Sequence, residues 1–383
     1  MKIQLSDHFT YQRLLHFCLP SIVMMIFTSI YGVVDGLFVS NFVGKIPFAA
    51  INLVMPFIMI LGGFGFMIGT GGSALIAKTL GEGRHKLANR YFSMLIIMTV
   101  ILGFFLTTIG IVFARRVSIL LGATDVMLDD CVIYLRTVLL FISPFMLQNV
   151  FQSFLVTAQK PHAGLIVTII AGLTNMSLDA LFIVVFRWGV AGAALATGIS
   201  QCIGGLLPLI LFLGKNDSLL HLVPTRLEWR PFFLSCTNGM SELMGNISSS
   251  IVSMLYNFQL LNYAGENGIA AYGVLMYVQF IFIAVFFGYT IGVGPVIGYH
   301  YGAGNHAELK NLLRKSLKLN IITGISMTIL ANLFAGALSR IFVGYDPELY
   351  AMTKSAFHIF ALSFLVCGIN IFASAFFTAL NNG

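Results

Sequence analysis

The sequence predicts an all-α polytopic membrane protein built from two parallel repeats, the second incomplete. Three observations carry this. Only 9% of the 383 residues are charged and 58% are hydrophobic, against roughly 25% charged in a soluble domain. Ten apolar stretches are long enough, at about 20 residues or more, to cross a hydrocarbon core as helices. A shift of 221 positions lays one half of the chain on the other without a gap. A soluble fold of this composition would expose large apolar patches, so a cytosolic enzyme, a disordered chain and a disulfide-rich module are all excluded.

The ten predicted spans lie at 14–43, 48–76, 92–113, 132–157, 162–186, 190–213, 232–263, 268–297, 316–336 and 355–379. Strand alternation is absent, so helices must satisfy the backbone. Pro20, Pro56, Pro144, Pro208 and Pro295 predict kinks. The second span is laden with Gly62, Gly63, Gly65, Gly69, Gly71 and Gly72, the signature of close helix packing. Five scattered cysteines with no CxxC spacing read as small buried hydrophobes. The first apolar run lacks a small-residue cleavage site and is too long for a signal peptide.

Basic residues set the orientation. With the N-terminus inside, that side collects Lys2, Arg13, Lys78, Arg84, Lys86, Arg90, Lys160, Lys215, Arg226, Arg230, Lys310, Arg314, Lys315 and Lys318. The other side holds Lys45, Arg115, Arg116, Arg136, Arg187, Arg340 and Lys354. The twofold excess predicts a cytoplasmic N-terminus, and it accounts for the net charge of +7 without any nucleic-acid partner.

The shift of 221 pairs Gly81-Glu82-Gly83-Arg84-His85 with Gly302-Ala303-Gly304-Asn305-His306, Gly44 with Gly265, Gly71 with Gly292 and Gly103 with Gly324. Six helices separate the copies, so both run the same way through the membrane, and a site is expected between them. The expected units are 1–213 (an N-lobe of helices 1–6), a cytoplasmic linker at 214–231, and 232–383 (a partial C-lobe of helices 7–10). The second copy stops at Gly383 after its fourth helix, so the chain reads as a fragment or as an asymmetric protein.

Three acids fall within spans: Asp35, Asp179 and Glu242. A carboxylate at mid-bilayer costs about 2.5–3.5 kcal/mol on insertion scales, so such groups face a cavity or each other. Asn175 and Asp179, four apart, share one helix face, as do Ala193, Thr197 and Gln201; Asn149 lies on the fourth span. If these faces converge on Asp35, two carboxylates sit among neutral oxygens, a donor set for Na⁺ or for a shared proton. Both cannot stay ionised in a low-dielectric pocket without a cation. Glu242 and Asn246 face Ser248-Ser249-Ser250 and are expected to meet a cationic substrate. His85, His300 and His306 are expected to be solvated in loops. No Walker, HExxH, GxSxG or dinucleotide motif occurs, so no cofactor and no enzyme chemistry are expected.

These residues resemble the multidrug and toxic compound extrusion (MATE) family. The resemblance rests on Tyr31-Gly32-Val33-Val34-Asp35 with Phe42-Val43-Gly44, and on Gly69-Thr70-Gly71-Gly72-Ser73 through Gly81-Glu82-Gly83. Asn175-Met176-Ser177-Leu178-Asp179 and Gly302-Ala303-Gly304 complete it. It implies a MATE-type fold of two six-helix lobes around a cleft, exporting organic cations and drugs in exchange for Na⁺ or H⁺ by alternating access. It further implies a cation site at Asp35, Asn175, Asp179 and Thr197 with Asn149 nearby, a substrate-cleft acid at Glu242 with Asn246 and Gln201, and a hinge at Pro20. The tenth span offers only His358 and Asn370, and the repeat sets Tyr256 opposite Asp35, so coupling is expected in the first lobe alone. A monomer in the cell inner membrane, in contact with lipid and small organic cations, is expected. The alternatives are a lipid-linked precursor flippase, an intramembrane aspartyl protease using Asp35 and Asp179, and an inactive truncated product.

Overall fold

A computed structural model describes residues 3–214, 217–344 and 346–383; Lys2 and Lys215 of the basic set, and the Lys45 side chain, lie outside the described residues. Where described, the chain is a bundle of twelve α-helices: α1 Tyr11–Phe42, α2 Lys45–Gly81, α3 His85–Leu120, α4 Leu128–Leu139, α5 Ile142–Thr157, α6 Pro161–Asp179, α7 Gly189–Leu213, α8 Trp229–Asn238, α9 Met240–Gly302, α10 His306–Val343, α11 Pro347–Phe360 and α12 Phe364–Ala379. Helix ends follow local chemistry. Thr10 accepts from the Arg13 N–H to start α1, Asn305 accepts from Glu308 to start α10, and Asp346 caps α11 just before Pro347. Within the spans, hydroxyls of Thr70, Thr99 and Thr108 donate to carbonyls four residues back, which removes a polar group that lipid could not satisfy.

Eight helical segments among the described residues are long and apolar enough to cross a membrane, or nine if the bent pair α4 and α5 is one span. The predicted span outside this count is the seventh, 232–263, which is formed by α8 and the part of α9 before Gly265. Two predicted spans differ in detail. The fourth breaks into α4 and α5 at a bend of 57°, and Pro144 lies in the first turn of α5, where its missing N–H costs nothing, so it marks a helix start and not a mid-helix kink. The seventh begins earlier, as α8, and breaks at Gly239. It ends at Gly265 (φ 60°, ψ −153°), where the backbone of α9 leaves helical geometry between the seventh and eighth predicted spans, as expected.

The repeat holds at the level of whole elements. Shifted by 221, α3, α4 and α5 fall on α10, α11 and α12, α1 falls on α8 and the start of α9, and α2 on the end of α9. The turns obey it too. Gly44 and Gly265 both have positive φ (119° and 60°), as do Gly83 and Gly304 (75° and 67°), a backbone region that side chains resist and glycine does not. The same shift relates close packings: Gly103 lies against Ser143 between α3 and α5, and Gly324 against the Phe364 carbonyl between α10 and α12.

The glycine stripe of α2 serves packing, as its spacing predicts. On one face a Cβ at Gly62, Gly65 or Gly69 would meet Phe145, Met146 or Val150 of α5; on the other, Gly63 and Gly71 seat Leu243 and the Ser235 carbonyl. Exposed apolar side chains such as Phe104, Val112, Leu333 and Ile341 line the outer faces of α3 and α10, the inverse of a soluble protein and the surface that acyl chains cover.

Candidate functional site

Two polar places stand out in the apolar bundle. The first is inside the first repeat, where α1, α4, α6 and α7 meet. Asp35 comes from the C-terminal half of α1. Asn175 and Asp179 come from the end of α6, which passes into a π-helix at Ala180–Val185. The wider π turn after Asp179 follows a pattern common at functional sites. Thr197 comes from α7. Asp179 is fully buried and Asn175 nearly so, with Val39, Ile183, Val190, Ala193 and Ala194 in the surrounding apolar cluster.

The Asp35 and Asp179 carboxyls lie side by side. Asp35 Oδ1, Asn175 Oδ1, both Asp179 oxygens and Thr197 Oγ1 are all buried without a hydrogen-bond partner. An unsatisfied buried oxygen is costly, and adjacent carboxyls with unpaired amide and hydroxyl oxygens on α6 and α7 fit a hard cation or a proton. Among the described residues no group of three or more His, Cys, Asp or Glu is placed to hold a metal ion, so any ion here would rest on amide and hydroxyl oxygens as well as carboxylates.

Sequence reasoning brought Asp35, Asn175, Asp179 and Thr197 to this place, but it missed three neighbours. The Tyr134 hydroxyl, on α4, stands beside Thr197 and both carboxyls. The Tyr31 hydroxyl, on α1, stands beside Gln148 and near Asp35. Gly172 explains the seat of Tyr31, because a Cβ there would strike the Phe27 and Tyr31 rings, and Gly204 likewise leaves room for Gln148. Asn149, the predicted fourth-span member, instead donates to the Gly62 carbonyl at 3.1 Å and ties α5 to α2. One residue along a helix turns the side chain by about 100°, so Gln148 and Asn149 face different neighbours.

The second place is a cavity of about 180 Å³ between the repeats. Its walls come from α1 (Met25), α2 (Phe66, Thr70, Ser73), α5 (Ser153), both parts of α9 (Glu242, Asn246, Phe287, Thr290) and α12 (Thr378). Glu242 and Asn246 do meet here. Gln201 does not line this cavity; it is buried in α7 with an unpaired Oε1. The serine run is spent partly on its own helix, since Ser250 donates to the Asn246 carbonyl at 3.0 Å.

Pro20 lies within α1 and denies a carbonyl one turn back its hydrogen bond. Around it α1 is held tightly by the end of α9, where Gly292 abuts Cys18 and Gly288 abuts Ser21 and Ile22. In the second repeat, Tyr256 stands where the first has Asp35 and stacks on Tyr272 at 5.3 Å. His358 pairs with Asn332 at 2.7 Å. His85 and His306 are exposed, but His300 is not solvated as expected: only 2% of it is accessible, because the segment before α1 covers it.

The chain is similar throughout to known transporters. Multidrug export protein MepA of Staphylococcus haemolyticus is 26% identical over 379 residues, covering 97% of this chain and 82% of that protein. A crystal structure of a MATE protein in complex with MaL6 superposes with a TM-score of 0.92 at 20% identity, covering 98% of this chain and 84% of that one. The outward-facing conformation of a multidrug resistance MATE family transporter of the MOP superfamily gives 0.92 at 21%, with the same coverage. The MatE family model matches residues 20–181 and 243–383. With a buried acidic pair and an inter-repeat cavity in one pseudo-symmetric helical bundle, the chain belongs to the MatE family of multidrug efflux transporters.

Proposed function

We propose that this protein exports organic cations in exchange for Na⁺ or H⁺ by alternating access, from the cytoplasmic membrane, with its N-terminus inside. The observation that carries the reading is the pair of adjacent carboxyls, Asp35 and Asp179, sheltered among unpaired oxygens in the first repeat. Two carboxylates so placed repel each other unless a cation or proton lies between them. An ion arriving there therefore changes how α1, α6 and α7 pack, and α1 also forms part of the wall of the inter-repeat cavity through Met25. That shared helix links ion binding to the cavity. Residues 1–213 act as the N-lobe that reads the ion and 232–383 as the opposing C-lobe, joined by the linker at 214–231.

The cavity chemistry supports a monovalent, largely apolar cation. Glu242 supplies one carboxylate, Thr70, Ser73 and Thr290 supply hydroxyls, and Met25, Phe66 and Phe287 supply adaptable or aromatic faces; no Lys or Arg is among its described lining residues. A lipid-linked pyrophosphate would require the opposite charge. The test is efflux of a fluorescent organic cation from proteoliposomes under an imposed Na⁺ gradient or an imposed pH gradient. Efflux that follows neither gradient overturns the reading.

Two further outcomes follow. Glu242→Gln is expected to weaken binding of cationic dyes about tenfold, the scale of one hydrogen bond to a charged group, while uncharged ligands of the same shape bind unchanged in a fluorescence titration. Tyr134→Phe removes the hydroxyl beside Thr197 and both carboxyls. It is expected to raise the ion concentration for half-maximal thermal protection about fivefold, for a loss of about 1 kcal/mol, with expression unaffected.

A further inference from the structure

The segment preceding α1 is not a loose tail. Leu5 and Phe9 are fully buried in one apolar cluster with Val296, Ile297, Leu309 and Leu312 of α9 and α10, all in the second repeat. The backbone is fastened as well. The Phe9 N–H donates to Glu308 Oε1 at 3.0 Å, and its carbonyl accepts from Lys315 Nζ at 2.6 Å and Asn311 at 3.1 Å. His8 pairs with the other Glu308 oxygen at 2.6 Å. The start of the first repeat is thus bolted to the third helix of the second.

The converse contact exists. The segment that enters the second repeat lies on α3, the third helix of the first: the His221 N–H donates to Asn89, the Val223 N–H to Ser93, and Arg90 pairs with Glu228 at 2.9 Å. Shifted by 221, Asp7 falls on Glu228 and Arg90 on Asn311. Between the two straps the repeats touch backbone to backbone, Gly81 on the Tyr299 carbonyl and Gly302 on the Lys78 carbonyl. Tyr299 is Lys78 shifted by the same 221, so the contact is its own mirror image.

We propose that these segments, 3–10 and 217–228, are reciprocal, releasable straps that latch the N-terminal face of the bundle shut, and that one or both must detach before this face opens. The idea takes its purpose from alternating access, yet its test needs neither ion nor substrate, so either can fail alone. Glu308 is the chief anchor, because it holds a backbone N–H and His8 and contacts Asn311 at 2.8 Å, while Lys315 closes the other side of the Phe9 peptide.

The experiment uses the full chain in vesicles with Cys131, Cys202, Cys236 and Cys367 replaced by Ser. The remaining thiol, Cys18, is fully buried beneath the strap in the same apolar cluster as Leu5 and Phe9. A membrane-impermeant maleimide applied to the N-terminal face should label Cys18 at least about tenfold faster in Glu308→Gln/Lys315→Met, since losing even one charge-assisted hydrogen bond has that effect. In a cysteine-free form, spin labels at Lys86→Cys and Lys310→Cys, both exposed, report the distance between α3 and α10. That distribution should gain a longer component with Glu308→Gln/Lys315→Met and with Arg90→Gln, whose partner pair is solvent-exposed and whose loss the fold tolerates. Unchanged Cys18 labelling, or distance distributions identical to the parent in both variants, overturns the proposal.

Discussion

Asp35→Asn is expected to abolish ion-coupled efflux while leaving a folded protein at least as heat-stable as the parent in the absence of coupling ion. The two effects have one origin. Asp35 and Asp179 are adjacent, and their neighbourhood supplies unpaired oxygens in place of positive charge. Without an ion, a second carboxylate adds repulsion that an amide does not. With an ion, the amide leaves one buried carboxylate to do the work of two; breaking a buried charge pairing costs about 3–5 kcal/mol, which is a loss of about a hundredfold or more in ion affinity. Gradient-driven dye efflux in proteoliposomes, with a melting curve at increasing Na⁺ and at decreasing pH, reads both. A variant that retains coupled efflux, or one that melts well below the parent without ion, contradicts this account of the site.

The second large effect is expected at the crossing of α2 and α9. A Cβ at Gly81 would collide with the Tyr299 carbonyl oxygen, and one at Gly302 with the Lys78 carbonyl oxygen. Both obstacles are backbone and cannot swing aside as a flexible side chain could. Gly81→Val and Gly302→Val should each push the two repeats apart at the N-terminal face, costing the closed arrangement about 1–3 kcal/mol. That lowers its population by about five- to 150-fold. The double variant should fall short of the sum, since both changes relieve themselves by the same separation. Gly36→Ala is the control: a Cβ at Gly36 meets nothing within 4 Å, so Ala should be neutral or slightly stabilising in the helix. Interspin distances between α3 and α10 distinguish separation from general unfolding. An unchanged distance in Gly302→Val would show that the crossing does not set the closed state.

Much of the fold was legible because lipid leaves a chain few choices. Ten apolar runs had to be helices, and the offset between Gly81 and Gly302 exposed the repeat that the fold follows element by element. The breaks were less legible. The bend between α4 and α5 depends on how neighbours fill space and leaves no compositional trace. His300 looked like a loop residue because nothing in its vicinity announces that Asp7 and His8, about 290 positions earlier, lie beside it.

The site divides along the same line. Acids in apolar helices are so costly that Asp35, Asp179 and Glu242 identified themselves, and helical spacing added Asn175 and Thr197. Tyr134 and Gln148 could not be found that way, since a tyrosine or glutamine in a span is ordinary and only the meeting of α4, α5 and α7 with α1 gives them meaning. Gly172 and Gly204 were the one available hint, each making room for a side chain on another helix. By itself, then, the sequence determined the helical class, the internal duplication and which charges lie in the membrane, because those follow from transfer energies that act residue by residue. Which oxygens share a pocket, which glycines carry a crossing and which segment covers His300 were decided only by tertiary structure, because packing is a property of pairs of surfaces brought together from distant parts of the chain.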